Sequence, residues 1–348
     1  MSRRSTDRSL RRVAALLTAA GLAATGLAGC GSADEHVIAL LLPDSGATRW
    51  TDRDQVSFEQ GVEATCPSCR VEVYLAGGDR QVQMRQLREA IDAGADAVVL
   101  AAISSDSGEA LVQAAGAVPV IAYDRFVAGA DYYVSFDSEA VGRLQAQELV
   151  SAAGSKPRLL VLNGAQGDPN ATALELAAGQ VFDAAGARVL AEDRPQDWHT
   201  DTAQKWVTSQ LEQLGDAPID GVYAGNDAQA TGVVQAFEDA GRPLVPVTGQ
   251  DGELAALQRI ITGDQTMTVY KSIAQEATTA AELAVRIVRG EAVQGTKPVL
   301  GVPSYLFEPV AVTVANLADT VVRDGTVTIE ELCAPPDVRR ACERRGLA

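Results

Sequence analysis

Histidine is nearly missing from this chain: His36 and His199 are the only two in 348 residues, beside five cysteines. A zinc site of ordinary composition would need the cysteine pairs brought together or joined by histidine, so no spacing implies a metal or a cofactor. Basic residues are also in short supply, with 29 Lys and Arg against 46 Asp and Glu and a formal charge of −17. Residues 1–29 take five of the arginines (Arg3, Arg4, Arg8, Arg11, Arg12) and one acid, Asp7, so 24 basic residues face 45 acidic ones from Cys30 onward. A field of that sign repels phosphate backbones and anionic headgroups. It argues against nucleic acid and direct electrostatic membrane binding and favours a neutral or cationic ligand. Low-complexity blocks are lacking beyond the N-terminus, and 47% hydrophobic with 22% charged residues is a mixture able to bury a large core. The length fits two domains of roughly 100 to 200 residues each.

The apolar run from Val13 to about Ala24 is shorter than the ~20 residues a membrane-spanning helix needs. Five arginines precede or flank it, and Leu27-Ala28-Gly29-Cys30 comes after it, a secretory layout with small residues before a cysteine. This resembles a bacterial lipoprotein signal. The resemblance implies a signal peptide over residues 1–29, cleavage before Cys30, a lipid on the Cys30 thiol and a short linker over residues 30–35. The rival reading is a lone buried cysteine in a short transmembrane helix, and Arg11-Arg12 leaves the export route open. Four cysteines remain, as Cys66-Pro67-Ser68-Cys69 and Cys333 with Cys342. Given export, an even count favours disulfides within each pair. Zinc and thioredoxin-like chemistry are the rivals, but a redox CxxC normally opens a helix after a strand, whereas Cys66 comes after a helical pattern.

From Val37 the chain alternates. Val37–Leu42 reads as a buried strand ended by Pro43, Asp54–Ala64 as a helix, Val71–Leu75 as extended, Asp79–Asp92 as a helix and Ala97–Ala101 as a short apolar run, which is a βαβαβ order. The pattern continues through Val118–Ala122, Leu144–Val150, Arg158–Leu162, Leu174–Ala184, Ala203–Leu214, Ile219–Tyr223 and Ala228–Ala240. Helix-ending glycines such as Gly94 and Gly186 support the boundaries. Strands this apolar suit parallel sheets covered by helices. The fold class is α/β, with more than one doubly wound sheet, and ligands in such sheets bind beyond the carboxyl ends of the strands.

Each apolar run gives way to polar residues: Arg49-Trp50, Asp124-Arg125, Asn163 to Asn170, Asn226-Asp227 and Gln250-Asp251, with Trp198 and Lys271 completing the set. Planar amides, carboxylates, guanidinium forks and aromatic faces are what a sugar needs. Each hydroxyl donates and accepts, Arg and Lys donate to hydroxyl and ring oxygens, and an indole packs on the C–H face of a pyranose. Taken singly, Asp124-Arg125 or Asn226-Asp227 reads equally well as a cap or turn. Trp206 reads as core, Tyr132 and Tyr133 as strand, and His199 as surface.

Taken together, Arg49-Trp50-Thr51-Asp52-Arg53-Asp54, Ala122-Tyr123-Asp124-Arg125, Ser135-Phe136-Asp137, Gly249-Gln250-Asp251 and Gln265-Thr266-Met267-Thr268-Val269-Tyr270-Lys271 resemble the bacterial periplasmic xylose-binding proteins over about residues 36–315. The resemblance implies a type I periplasmic-binding fold: two Rossmann-like lobes with parallel sheets, joined by three hinge crossovers. These are expected near Asp137, Met267–Lys271 and Pro303–Phe307. The N-terminal lobe would be residues 36–137 with 272–304, the C-terminal lobe 138–267 with 308–348, and the hinge 268–271 and 305–307. Carried over by motif, the ligand-binding residues are Arg49, Trp50, Asp124, Arg125, Asn170, Trp198, Asn226, Asp251 and Lys271. The chain departs from the family pattern after Asn170. Relatives read Asn-Ala-Lys-Leu-Phe-Arg, whereas this chain reads Asn170-Ala171-Thr172-Ala173-Leu174-Glu175-Leu176, so the family's sugar-contacting arginine has no counterpart. That loss bears on sugar choice.

The function implied is capture of a monosaccharide, xylose or a related aldose, by a monomeric, lipid-anchored exported protein that serves an ABC importer permease without a cofactor or catalysis. One alternative is a sugar sensor docking on a membrane receptor. A glycosidase using Asp124 and Asp251 is another, disfavoured by the Arg and Lys groups that would keep both acids ionised. A transcription regulator would need a helix-turn-helix where the signal peptide stands.

Overall fold

The computed structural model describes residues 35–43, 49–295 and 297–347. The expected signal peptide 1–29, the lipidated Cys30 and linker residues 31–34 lie outside the described residues. Strands β1 (Val37–Leu42), β2 (Arg70–Leu75), β3 (Ala97–Leu100), β4 (Val120–Tyr123) and β5 (Tyr132–Phe136) alternate with helices α1 (Gln55–Thr65), α2 (Arg80–Asp92) and α3 (Ser105–Ala115). A π turn, Trp50–Asp54, leads into α1. Next come α4 (Ser138–Ala153), β6 (Arg158–Leu162), α5 (Pro169–Ala185), β7 (Arg188–Asp193), α6 (Thr200–Leu214), β8 (Gly221–Ala224), α7 (Asp227–Asp239), β9 (Val247–Gln250), α8 (Leu254–Thr262) and β10 (Met267–Tyr270). The chain ends with α9 (Ile273–Val288), β11 (Lys297–Val299), β12 (Val302–Phe307), β13 (Val310–Val312), α10 (Ile329–Leu332) and α11 (Pro336–Arg345).

Two sheets result. One has the order β11-β12-β5-β4-β3-β1-β2 and the other β13-β10-β9-β8-β6-β7. Both are doubly wound and parallel except at one edge, where β11 runs antiparallel to β12 and β13 antiparallel to β10. These edges are three-residue strands that need no helical crossover: β11 turns directly back into β12, and β13 is entered from β12 of the other sheet through Glu308-Pro309. Burial explains the rest. β1, β3, β4, β8, β9 and β10 are buried along their whole length, as strands covered on both faces must be.

Several helices begin where a side chain satisfies the first N–H groups. Asp79 accepts from Gln81 N and Val82 N, Ser104 forms a capping box with Ser107, and Asn226 accepts from Gln229 N. α9 packs on α1 against the first sheet, whereas α4 packs on α5 against the second.

The chain crosses between sheets at three places: from β5 to α4 through Asp137, from β10 to α9 through Lys271-Ser272, and from β12 to β13 through Glu308-Pro309. Thr268–Tyr270 and Tyr305–Phe307, expected as hinge, are strand residues, because backbone pairing continues to the end of β10 and β12. Cys66 is bonded to Cys69 at the end of α1, and Cys333 to Cys342 between α10 and α11. The second disulfide sits in an apolar cluster with Leu332, Val338 and Ala341 that rests on Leu257, Ile260 and Ile261 of α8.

Candidate binding site

The carboxyl ends of both sheets face one cavity lined by Arg49, Trp50, Asp124, Arg125, Asp168, Asn170, Trp198, Asn226, Gln250, Asp251 and Lys271, with about 340 Å3 of unfilled space partly open to solvent. All nine residues expected from sequence are therefore brought together. Asp168 and Gln250 stand among them, although neither is in the ligand set that the motifs imply.

The two lobes repeat one device. Asp124 comes directly after β4 and Asp251 directly after β9, each the fourth strand of its lobe, and both take left-handed backbone (φ 60° and 100°) that non-glycine residues rarely adopt. Each is pinned by the neighbouring strand, with Asp124 N donating to Val134 O at 2.9 Å and Asp251 N to Val269 O at 2.9 Å. The carboxylates thereby turn off the strand ends into the cavity, which is strain of the kind concentrated at ligand sites.

Cations surround these acids. Arg49 Nη1 lies 3.0 Å from Asp124 Oδ1 and 3.5 Å from Asp251 Oδ1, and Lys271 Nζ lies 2.8 Å from Asp251 Oδ1 and 3.9 Å from Asp124 Oδ1. Burial alone would raise Asp124, but the charges of Arg49, Lys271 and Arg125 prevail and hold it below the usual carboxylate range. Burial also works against the Lys271 charge, and Asp251 with Asp124 overcomes it, keeping the ammonium above its ordinary value.

Direct contacts cross the cleft. Arg125 from the first lobe pairs with Asp168 of the second at 2.8 Å, and Asn170 Nδ2 donates to the Asp124 carbonyl at 2.9 Å. Asp168 caps α5 by accepting from Asn170 N and also accepts from Trp198 Nε1 at 3.2 Å. Burial, aided by Asp124 and opposed by Arg125, raises its pKa. Trp50 provides an aromatic face, with the Arg49 guanidinium 4.6 Å and that of Arg125 5.5 Å from its ring centre. The Trp198 ring packs so closely on Gly164 that any Cβ there would stand 2.0 Å from it. Gln250 Nε2 donates to Gly225 O at 2.9 Å, placing its amide beside Asn226.

Behind Asp251 lies a second layer of acids. Asp227 is fully buried and accepts from Gln265 Nε2, Thr268 Oγ1 and Glu253 N at 2.9, 2.8 and 3.0 Å. Burial and Asp251 push it up to about 7 despite Arg259, and burial with Asp227 pushes Glu253 to about 8. Trp206 packs on the core of the second lobe, and His199 is half-exposed at the start of α6. Among the described residues no group of His, Cys, Asp or Glu side chains is arranged to hold a metal ion.

The profile of the periplasmic binding protein domain matches residues 38–292. The D-xylose-binding periplasmic protein of Haemophilus influenzae is 33% identical over 334 residues, covering 91% of this chain and 98% of that protein. The chain belongs to the type I periplasmic sugar-binding family. Solved structures agree. An ABC transporter solute-binding protein from Clostridium phytofermentans with bound β-D-glucose superposes with a TM-score of 0.74 at 26% identity, over 85% of this chain and 99% of that one. A Caulobacter myo-inositol-binding protein with myo-inositol gives 0.71 at 25% identity, over 87% and 100%.

Proposed function

We propose that this chain is an extracytoplasmic solute-binding protein that captures one monosaccharide, D-xylose or a related aldose, and delivers it to an ABC importer. In this reading residues 1–29 direct export, Cys30 carries the lipid anchor and the protein acts as a monomer. The observation that carries the reading is the polar cavity at the strand ends, in which nine residues from both lobes offer donors and acceptors in alternation around two indoles. A polyhydroxy ring satisfies both kinds of group, whereas an apolar ligand would displace water from them without replacing its hydrogen bonds. Trp50 Nε1 is a buried donor with no acceptor among the described residues, suited to a ligand oxygen.

The relatives' names support the class and divide on the member. One binds D-xylose, and two superposed structures hold glucose and myo-inositol. The missing family arginine after Asn170 bears on that choice. Here Glu175 points instead to Arg194, which donates to it through Nε at 2.7 Å. Hydrolysis is the weaker reading: the cations around Asp124 favour its charged form, and Asp168, the cavity acid that burial raises, is engaged by Arg125 and Trp198 rather than free to give a proton to a leaving group.

The three connections at Asp137, Lys271-Ser272 and Glu308-Pro309 serve as the hinge in this reading, and a sugar bridging both lobes stabilises the closed form. A thermal-shift screen of residues 35–348 against D-xylose, D-glucose, L-arabinose, D-ribose, D-galactose and myo-inositol tests it. A sugar at 100 times its Kd adds about 2.7 kcal/mol of stability, a shift of several degrees. No shift with any of the six overturns the reading.

A further inference from the structure

Arg49 lines the cavity, and its guanidinium is almost fully occupied from behind. Nε donates to Asp54 Oδ2 at 3.0 Å and Nη2 to Asp54 Oδ1 at 2.7 Å, while Nη2 also reaches Glu276 Oε2 at 3.4 Å. Nη1 meets Asp124 at 3.0 Å. A guanidinium has five N–H groups, so with Glu276 on the second Nη2 hydrogen only one Nη1 hydrogen remains to serve Asp251 and a ligand. Neither Asp54 nor Glu276 lines the cavity, and both are completely buried.

Glu276 is out of place by pattern. It stands in the first turn of α9, on the face that otherwise buries Ile273, Ala277, Ala280, Ala281 and Ala284. Its Oε1 has no hydrogen-bond partner among the described residues. The charged groups facing it are Arg49 and Asp54 from the π turn and its approach, Asp124 after β4, and Lys271 at the start of its own segment, and the Tyr123 phenol beyond is bonded to Asp54. A carboxyl group fully buried on an otherwise apolar helix face, with one oxygen unpaired, calls for a role.

We infer that Glu276 is a positioning residue of the sugar site, which fixes the plane of the Arg49 guanidinium so that its last free N–H is directed at the cavity. This rests on the sugar-binding reading above. Burial, with Asp124 and Asp54 adding to it and Arg49 and Lys271 opposing, raises the Glu276 pKa well above its ordinary value. With its proton, Glu276 accepts from Nη2 without drawing on the Arg49 charge. Without it, a further anion competes with Asp124, Asp251 and the ligand for the same cation.

The experiment is calorimetric titration of wild type, Glu276→Gln and Glu276→Leu with D-xylose and, in parallel, D-glucose, at pH 6, with circular-dichroism melts to confirm folding. Glu276→Leu, which removes the acceptor, is expected to lose about tenfold in affinity at pH 6, the size of one hydrogen bond to a charged group. Glu276→Gln, which keeps an acceptor, is expected to recover to within about threefold of wild type. A folded Glu276→Leu that binds like wild type overturns the positioning role, as does a folded Glu276→Gln that binds no better than Glu276→Leu. Failure of wild type to bind either sugar is a separate outcome, which overturns the sugar reading and this role with it.

Discussion

Asp124 and Asp251 occupy equivalent places in the two lobes, on the same left-handed backbone after the fourth strand, yet the cations and acids around them differ in number and placement. Asp124 is ringed by cations, with Arg49, Arg125 and Lys271 all within 4 Å. Asp251 shares Lys271 and Arg49 but has Asp227 and Glu253 behind it, both raised toward neutrality. One backbone solution has therefore been used twice with different electrostatic backing. The lesson is that strand topology decides where a carboxylate points, while the charged groups packed around it are free to differ from one lobe to the other.

The strongest way to break this comparison is to remove its shared cation. Arg49→Ala takes from the buried Asp54 its ion-pair partner and leaves Asp124 only Arg125 and Lys271, each 3.9 Å away, and is expected to destabilise the protein by about 3–5 kcal/mol and to abolish sugar binding. Chemical denaturation and calorimetry check it. Lys271→Met should cost less stability, since Arg49 still stands 3.5 Å from Asp251.

A pH series sharpens it. Asp227, at about 7, and Glu253, at about 8, hold their protons more tightly in the folded protein than in the unfolded chain, where carboxyls titrate near 4. Their stabilising contribution is complete below that unfolded value and is lost as pH rises through 7 to 8. The melting temperature should fall from pH 6 to pH 9, and Glu253→Gln should flatten the decline. Asp124 is lowered instead, so its contribution is present above the ordinary carboxylate value and lost on acidification. An unchanged slope in Glu253→Gln would refute the contrast between the two backing layers.

The smallest expected effect concerns the wall of the site. Gly164→Ala places a methyl 2.0 Å from the Trp198 ring and must displace it. About 1–3 kcal/mol of stability should be lost from overpacking, with affinity falling as the indole leaves the cavity. Unfolding curves and titration together check that pair of effects.

Much of the fold and site is legible in the residues alone. Apolar runs such as Val37–Leu42 mark buried strands because both faces are covered, and polar residues directly after them fall at the mouth by topology alone. The short edges are not legible: β11 and β13 are three residues long and partly exposed, too brief to show a period. Asp168 caps α5 just before Pro169, but its ion pair with Arg125 joins two lobes and leaves no trace in spacing. Glu276 does leave a trace, as one acid on an apolar stripe at helical spacing, but its partner Arg49 lies far away in sequence. The C-terminal pair α10 and α11 is too rich in charge to show a core, and it is its disulfide and Leu332, Val338 and Ala341 that seat it on α8.

The most direct test is calorimetric titration of D-xylose into wild type, Asp124→Asn and Asp251→Asn at pH 7. The account predicts one sugar per chain for wild type and a loss of roughly tenfold to a hundredfold in each variant, as expected for a charged hydrogen bond removed from either lobe. Binding that survives in both variants at wild-type strength would contradict a site clamped between the two aspartates.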